Sequence, residues 1–190
     1  VLAEDTRQTK KLLNHYEITT PVSSYHTYSR NKKRDQILAE LDEGRSFALV
    51  TDAGTPAVAD PGSVLVEHAR RSGHEIIPVP GPTAVTAALS AVGLGGDEFT
   101  FLGFLPHKKR RQTNLKEIGG LVMPVVLYES PHRLVKLLGE LGEYYPEAQV
   151  CVARELTKKF EEFKVGPPAE LYDYYEANPP KGEIVVVIRV

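Results

Sequence analysis

Segments with the apolar spacing of helices alternate with short apolar runs along this chain, and that order restricts the fold more than any other feature. Ser46-Phe-Ala-Leu-Val-Thr51 is nearly continuous in apolar residues, as a strand covered on both faces must be. Ahead of it, residues 32–43 place Ile37, Leu38 and Leu41 on one helical face and stop at Gly44. Behind it, residues 63–72 read as a helix ended by Gly73. Asp5 suits the cap of a helix running through Tyr16 with Leu12 and Leu13 inward, and Val1-Leu-Ala before it reads as the tail of a strand. Residues 21–25, 74–79 and 98–102 are further strand candidates, and Pro82 opens a helix with Val85, Ala88, Leu89 and Val92 on its inner face. Such βαβ order predicts a doubly wound parallel sheet.

Gly103-Phe-Leu-Pro-His-Lys-Lys-Arg-Arg-Gln112 interrupts the rhythm, and a second α/β unit starts after it. Its strands are expected at 122–128, 149–153 and 182–190. Ser130-Pro131 caps a helix with Leu134, Leu137, Leu138 and Leu141 inward, and 168–177 forms another. The expected domains are therefore 1–104 and 105–190. The 42% hydrophobic and 25% charged content over 190 residues is globular. The lone Cys151 excludes a disulfide framework and a multi-cysteine metal site. A net charge of −2 argues against a generally basic nucleic-acid binder but leaves room for a local patch. No apolar run approaches membrane-spanning length, and the opening segment turns charged at once, so a cytosolic protein is expected. Both ends read as cut, since the chain opens and closes on strands.

The densest chemical signal is Asp52-Ala-Gly-Thr-Pro-Ala-Val-Ala-Asp-Pro-Gly62, between a buried strand and a helix. Ligands of open α/β sheets sit at such carboxyl-end loops. Pro78-Val-Pro-Gly-Pro-Thr-Ala84 repeats the arrangement, with Thr83 in the first helical turn. Two preorganised loops at one sheet edge suit a cofactor site, although capping chemistry alone also accounts for Asp60 and Thr83. Neither loop carries a dinucleotide or P-loop fingerprint. In the second unit Tyr128-Glu-Ser-Pro-His-Arg133 and Ala153-Arg-Glu-Leu-Thr-Lys158 each put a carboxylate and a cation at a strand end. Glu129, Arg133, Arg154, Glu155 and Lys158 then form either an ion-pair lattice or an active site. Lys108, Lys109, Arg110 and Arg111 make a cationic loop suited to phosphates or to plain solvation. The histidines show no metal-ligand spacing.

Ala3-Glu-Asp-Thr-Arg7, Leu49-Val-Thr-Asp-Ala-Gly-Thr-Pro56, Asp60-Pro-Gly62, Pro80-Gly-Pro-Thr-Ala84, Gly103-Phe-Leu-Pro106, Tyr128-Glu-Ser-Pro-His-Arg133 and Arg154-Glu-Leu-Thr-Lys158 occur in that order. In this the sequence resembles the ribosomal RNA small subunit methyltransferase I family of the tetrapyrrole methylase (class III methyltransferase) superfamily, from residue 3 to about residue 188. The resemblance implies two α/β domains with a cofactor cleft between them, a homodimer, and S-adenosylmethionine as methyl donor. It also implies a cytidine ribose 2′-hydroxyl of small-subunit ribosomal RNA, or the 30S subunit, as acceptor. Cofactor candidates are Asp52, Ala53, Gly54, Thr55, Thr83, Ala84 and Phe104. Catalytic candidates are Glu129, Arg154, Glu155 and Lys158, and RNA candidates are Lys108, Lys109, Arg110, Arg111 and Arg133. The sequence departs from the family in lacking its usual first strand and Thr-Pro-Ile-Gly-Asn-type loop. A tetrapyrrole methylase and a non-catalytic binding fragment stay open as alternatives.

Overall fold

The computed structural model describes residues 1–26 and 31–190. They form two compact units, Val1–Thr83 and Ala84–Val190. The first is built on a three-stranded parallel sheet of β1 (Leu2–Ala3), β2 (Ser23–Ser24) and β3 (Leu49–Val50), in the order β2-β1-β3. Its helices are α1 (Thr6–His15), α2 (Asn31–Asp42) and α3 (Ser63–Arg71). Asp5 caps α1 by accepting from the Arg7 amide at 2.7 Å. Leu2, Tyr25, Ile37 and Leu65 form the core, with Leu38, Leu41, Phe47 and Leu49 packed against it. The Val1-Leu-Ala start thus becomes an interior strand, as its composition suggests.

Three expectations fail in this unit. Leu12 is 56% exposed and Leu13 only half-buried, because α1 turns Thr9 inward instead. The 46–51 run pairs only at Leu49–Val50 and is nowhere fully buried. Residues 74–79 form no strand and leave Ile77 and Val79 exposed. Pro78 and Pro80 bracket Val79 and offer no amide donors for a ladder.

The second unit carries β4 (Thr100–Phe104), β5 (Val125–Glu129), β6 (Gln149–Arg154), β7 (Glu162–Gly166) and β8 (Ile184–Arg189) in the order β4-β5-β8-β6-β7. Only β4 and β5 are parallel; β8 runs antiparallel between β5 and β6, so this sheet is mixed. Alternate residues divide its faces. Val125, Leu127, Val150 and Val152 pack with α5 (Arg111–Ile118), α6 (Pro131–Tyr144) and α7 (Pro168–Ala177). Val126, Cys151, Ala153 and Val185 pack with α4 (Ala84–Val92). Because α4 lies on this sheet, α4 and β4 group with the second unit, and the division falls at Thr83/Ala84 rather than at the expected 104/105.

Ser130 caps α6 through the His132 amide, and Leu134, Leu137, Leu138 and Leu141 are all fully buried. Each such leucine contributes about 1.5–3 kcal/mol of burial. Helix α5 and strand β7 lie where no element is expected from the sequence. Among the described residues no helix is long and apolar enough to cross a membrane.

Candidate functional site

In the first unit the strand ends and the two proline-rich loops meet. Glu4 follows β1, and its Oε2 accepts from Thr51 Oγ1 at 2.5 Å and from the Asp52 amide at 3.4 Å. Thr55 Oγ1 donates to Pro82 O at 3.1 Å, joining the Asp52–Thr55 turn to the 78–83 loop. Gly54 sits at φ +77, which a side chain would strain. Its absent Cβ would lie 3.6 Å from Pro82 O, so the turn runs close alongside the second loop. Ala57 and Ala59 also take positive φ, the strained backbone that concentrates at ligand sites. Gly62 (φ +133) admits the Leu49 side chain where a Cβ would clash.

Asp52, Ala53 and Gly54 are exposed, and Thr55 and Thr83 are half-buried. This surface presents backbone polar groups and one flanking carboxylate without a metal cluster; among the described residues none exists. Glu4 and Arg7 belong to this edge and were not singled out by residue type. Arg7 Nη2 holds Asp5 Oδ2 at 2.8 Å, and that contact keeps the Asp5 carboxyl at about 2, below its usual 3.8. Asp52 adds to the field that raises Arg7. The shared Ala3–Arg7 motif was the available signal.

The second-unit candidates separate into two groups. Glu129, ending β5, is 2% exposed. Its Oε1 accepts from the Ser130 amide at 2.8 Å and lies 3.2 Å from Arg133 Nε, and its Oε2 lies 3.6 Å from Arg111 Nη1. Arg111 is 4% exposed and grips Glu140 with two nitrogens, Nη2 at 2.7 Å and Nε at 2.9 Å. Arg133 Nη2 donates to Leu105 O at 2.6 Å. The buried Arg111 and the half-buried Arg133 thus offset Glu129 and Glu140, which is how charge survives burial. Arg111 opens α5 and turns into the core rather than facing outward with the cationic loop, and Glu129 is buried among these charges. Arg133 is half-buried and holds the Leu105 carbonyl. Lys108, Lys109 and Arg110 remain exposed and, among the described residues, carry no ion-pair partner.

Glu155 and Lys158 gather just past β6. Lys158 Nζ lies 2.9 Å from Glu155 Oε1 and 3.1 Å from Glu183 Oε2. Glu155 Oε1 also accepts from the Glu183 amide at 3.0 Å. That amide, with Lys158, lowers the Glu155 carboxyl, and Glu155 in turn raises the Lys158 ammonium. Glu155 (φ 51) and Thr157 (φ 64) are strained, and Gly182 leaves the space the Glu155 carboxylate fills. Arg154 diverges from this pair, since its Nε donates to Glu162 Oε2 at 3.0 Å on the α7 side. The four catalytic candidates therefore do not form one cluster. Phe104 ends β4, 55% exposed, with its ring 5.6 Å from that of Tyr128, and Ala84 opens α4. Burial pushes the Cys151 thiol up to about 11, which removes it as a nucleophile.

The sequence pattern of the Tetrapyrrole (Corrin/Porphyrin) Methylases family matches residues 1–172. Ribosomal RNA small subunit methyltransferase I of Synechocystis sp. is 45% identical over 190 residues, covering 99% of this chain and 68% of that protein. The chain therefore spans about two thirds of that relative's length. Among solved structures, diphthine synthase superposes with a TM-score of 0.75 at 16% identity, covering 100% of this chain and 78% of the other. Uroporphyrin-III C-methyltransferase from Thermus thermophilus, complexed with S-adenosyl homocysteine, gives a TM-score of 0.58 at 16% identity over 88% of this chain and 77% of its own. These structures share the fold. By family pattern and by identity, the chain belongs to the tetrapyrrole methylases, in the group of ribosomal RNA small subunit methyltransferase I, and is a methyltransferase.

Proposed function

We propose that the protein transfers a methyl group from S-adenosylmethionine to the 2′-hydroxyl of a cytidine in small-subunit ribosomal RNA. The observation that carries this reading is the joined pair of loops at the β1 and β3 strand ends, with Gly54 at φ +77 beside Pro82. Their rigid, backbone-lined surface fits a donor held through amides and carbonyls, and Asp52 and the Thr55 and Thr83 hydroxyls fit its polar groups. When bound, the donor supplies a methyl group activated on a positively charged sulfur. Asp52, Ala53, Gly54 and Thr55 bind and orient it, with Thr83 at the mouth of the second loop. Alignment is worth much in such an in-line displacement.

The acceptor oxygen gains the methyl as the methyl–sulfur bond of the donor breaks and leaves a neutral thioether, and the hydroxyl proton passes to solvent, so negative charge develops on oxygen during the transfer. Lys158, held cationic by Glu155 and Glu183, suits stabilisation of that oxygen. Glu155, with its carboxyl lowered, is a weak base and acts by positioning Lys158. The exposed Lys108, Lys109 and Arg110 suit phosphates, since flexible cations carry little base information. The RNA substrate and the family resemblance support action in the cytoplasm as a homodimer.

Methyl transfer from labelled donor to isolated small subunits, against a free tetrapyrrole, tests the reading. Label in RNA as 2′-O-methylcytidine is the expected outcome; label in the tetrapyrrole alone overturns it. Gly54→Val is expected to abolish calorimetric donor binding while circular dichroism stays native.

A further inference from the structure

A recess of about 220 Å³ lies on the α7 side of the second unit's sheet, and the proposed transfer does not use it. Its lining includes Arg154, Glu162, Tyr174, Tyr175, Asn178 and Lys181. Tyr175 is 1% exposed, and its hydroxyl is fully buried without a hydrogen-bond partner. Such a group costs stability unless something satisfies it. Tyr175 lines the recess together with Arg154, Glu162 and Tyr174, and burial raises its phenol.

The remaining lining is biased toward donors. Glu162 is occupied: Oε2 accepts from Arg154 Nε at 3.0 Å and Oε1 from the Tyr174 hydroxyl at 3.3 Å. Arg154 Nη1 donates to Lys181 O at 3.3 Å, leaving Nη2 without a protein acceptor among the described residues. Asn178 Nδ2 donates to Tyr174 O at 3.0 Å and keeps a second N–H. The Lys181 ammonium has no ion-pair partner among the described residues. Arg154 and Lys181 against Glu162 leave one positive charge. The volume is several times a water molecule's share of about 30 Å³, enough for a tetrahedral oxyanion.

We propose that this recess is a phosphate subsite, donated to by Tyr175, Lys181 and Arg154, which holds a backbone phosphate of the RNA away from the reacting ribose. The assignment to RNA rests on the function proposed above; the oxyanion chemistry does not. Inorganic phosphate is the probe, titrated into the whole protein and followed by the backbone amide resonances of Asn178, Lys181, Gly182 and Glu183, the prolines between them having none. Saturable shifts are expected there, with affinity falling about tenfold in Lys181→Ala and in Tyr175→Phe. Tyr175→Phe keeps the ring and removes an unpartnered hydroxyl, so its melting temperature is expected to hold or rise. Equal phosphate affinity in the wild type and both variants, or no shifts at Asn178 and Lys181–Glu183, overturns the subsite. A small-subunit RNA fragment is expected to displace the phosphate. RNA binding without displacement overturns the RNA source in favour of a free phosphate-bearing ligand. Neither arm reads methyl transfer, so failure of the activity assay and failure of the subsite are separate results.

Discussion

At the scale of single residues the Glu155–Lys158–Glu183 contact makes the sharpest demands. Gly182 holds φ +86, and a Cβ there would enter the space of the Glu155 carboxylate. Gly182→Ala is therefore expected to cost at least about 1 kcal/mol from backbone strain alone. It should also displace Glu155 and lower turnover, as read by denaturant melts beside steady-state kinetics. Unchanged turnover in a destabilised variant would strip the contact of any role beyond packing. The Glu155 carboxyl is lowered in the folded protein from an ordinary 4.5, first by the Glu183 amide and then by Lys158. The unfolded chain thus binds that proton more readily than the folded one. The contribution is present in full above the ordinary value and is lost as pH falls through the lowered one. Glu155→Gln is expected to flatten this acid limb of the stability profile while leaving the plateau between pH 6 and 8 in shape, roughly as for any single paired carboxylate. A variant curve parallel to wild type through the acid range would count against the pairing.

At the scale of elements, α5 decides what the cationic segment can do. Arg110 takes φ 66 at its start, which swings Arg111 inward to Glu140 and Glu129 and leaves Lys108, Lys109 and Arg110 outside. Arg111→Met is expected to destabilise by about 3 kcal/mol, because it takes a buried cation from the fully buried Glu129 and from Glu140. Where the variant is folded, its RNA affinity should be unchanged. Replacing Lys108, Lys109 and Arg110 together with Ala should leave stability within about 0.5 kcal/mol and reduce the slope of log affinity against log salt by about 2. A salt slope that follows Arg111 instead would reverse this division. The helix was not legible in sequence because Arg111-Gln-Thr-Asn offers no apolar period before Leu115. Strand β7 escaped for a related reason: Glu162-Phe-Lys-Val-Gly166 is an edge strand, and charges there suppress the strand signal. Helix α6 was legible in full, since Ser130-Pro131 marks its start and four leucines its buried stripe. The Asp52–Thr55 loop was legible through its glycine and prolines. The Glu129 group was not, because Arg111 and Glu140 reach it from elements remote in sequence.

At the scale of the whole molecule the two units differ in what holds them. The first rests on strands of two residues each and a core of Leu2, Tyr25, Ile37 and Leu65. The second has strands of five or six residues, both sheet faces covered, and a run of fully buried aliphatic side chains from β5, β6, β8 and α6. Opening free energy tracks buried apolar contact and protected backbone bonding. Native-state hydrogen exchange is therefore expected to show the slowest amides in β5, β6 and β8, and amides of β1, β2 and β3 exchanging through openings of lower free energy. The loops proposed to hold the donor belong to this weaker unit, so its stability is the quantity that donor binding should move. At about a hundredfold excess of S-adenosylmethionine over its dissociation constant, linkage allows a gain of about 2.7 kcal/mol in openings that release the ligand. That gain is expected in β1, β3 and the Asp52–Thr55 turn. In the second unit it should reach only amides whose opening also releases the donor. Protection rising in β6 and β8 while β1 and β3 stay unchanged would place the donor on the second unit's own residues and refute the loop site, whatever the methyl-transfer assay reports.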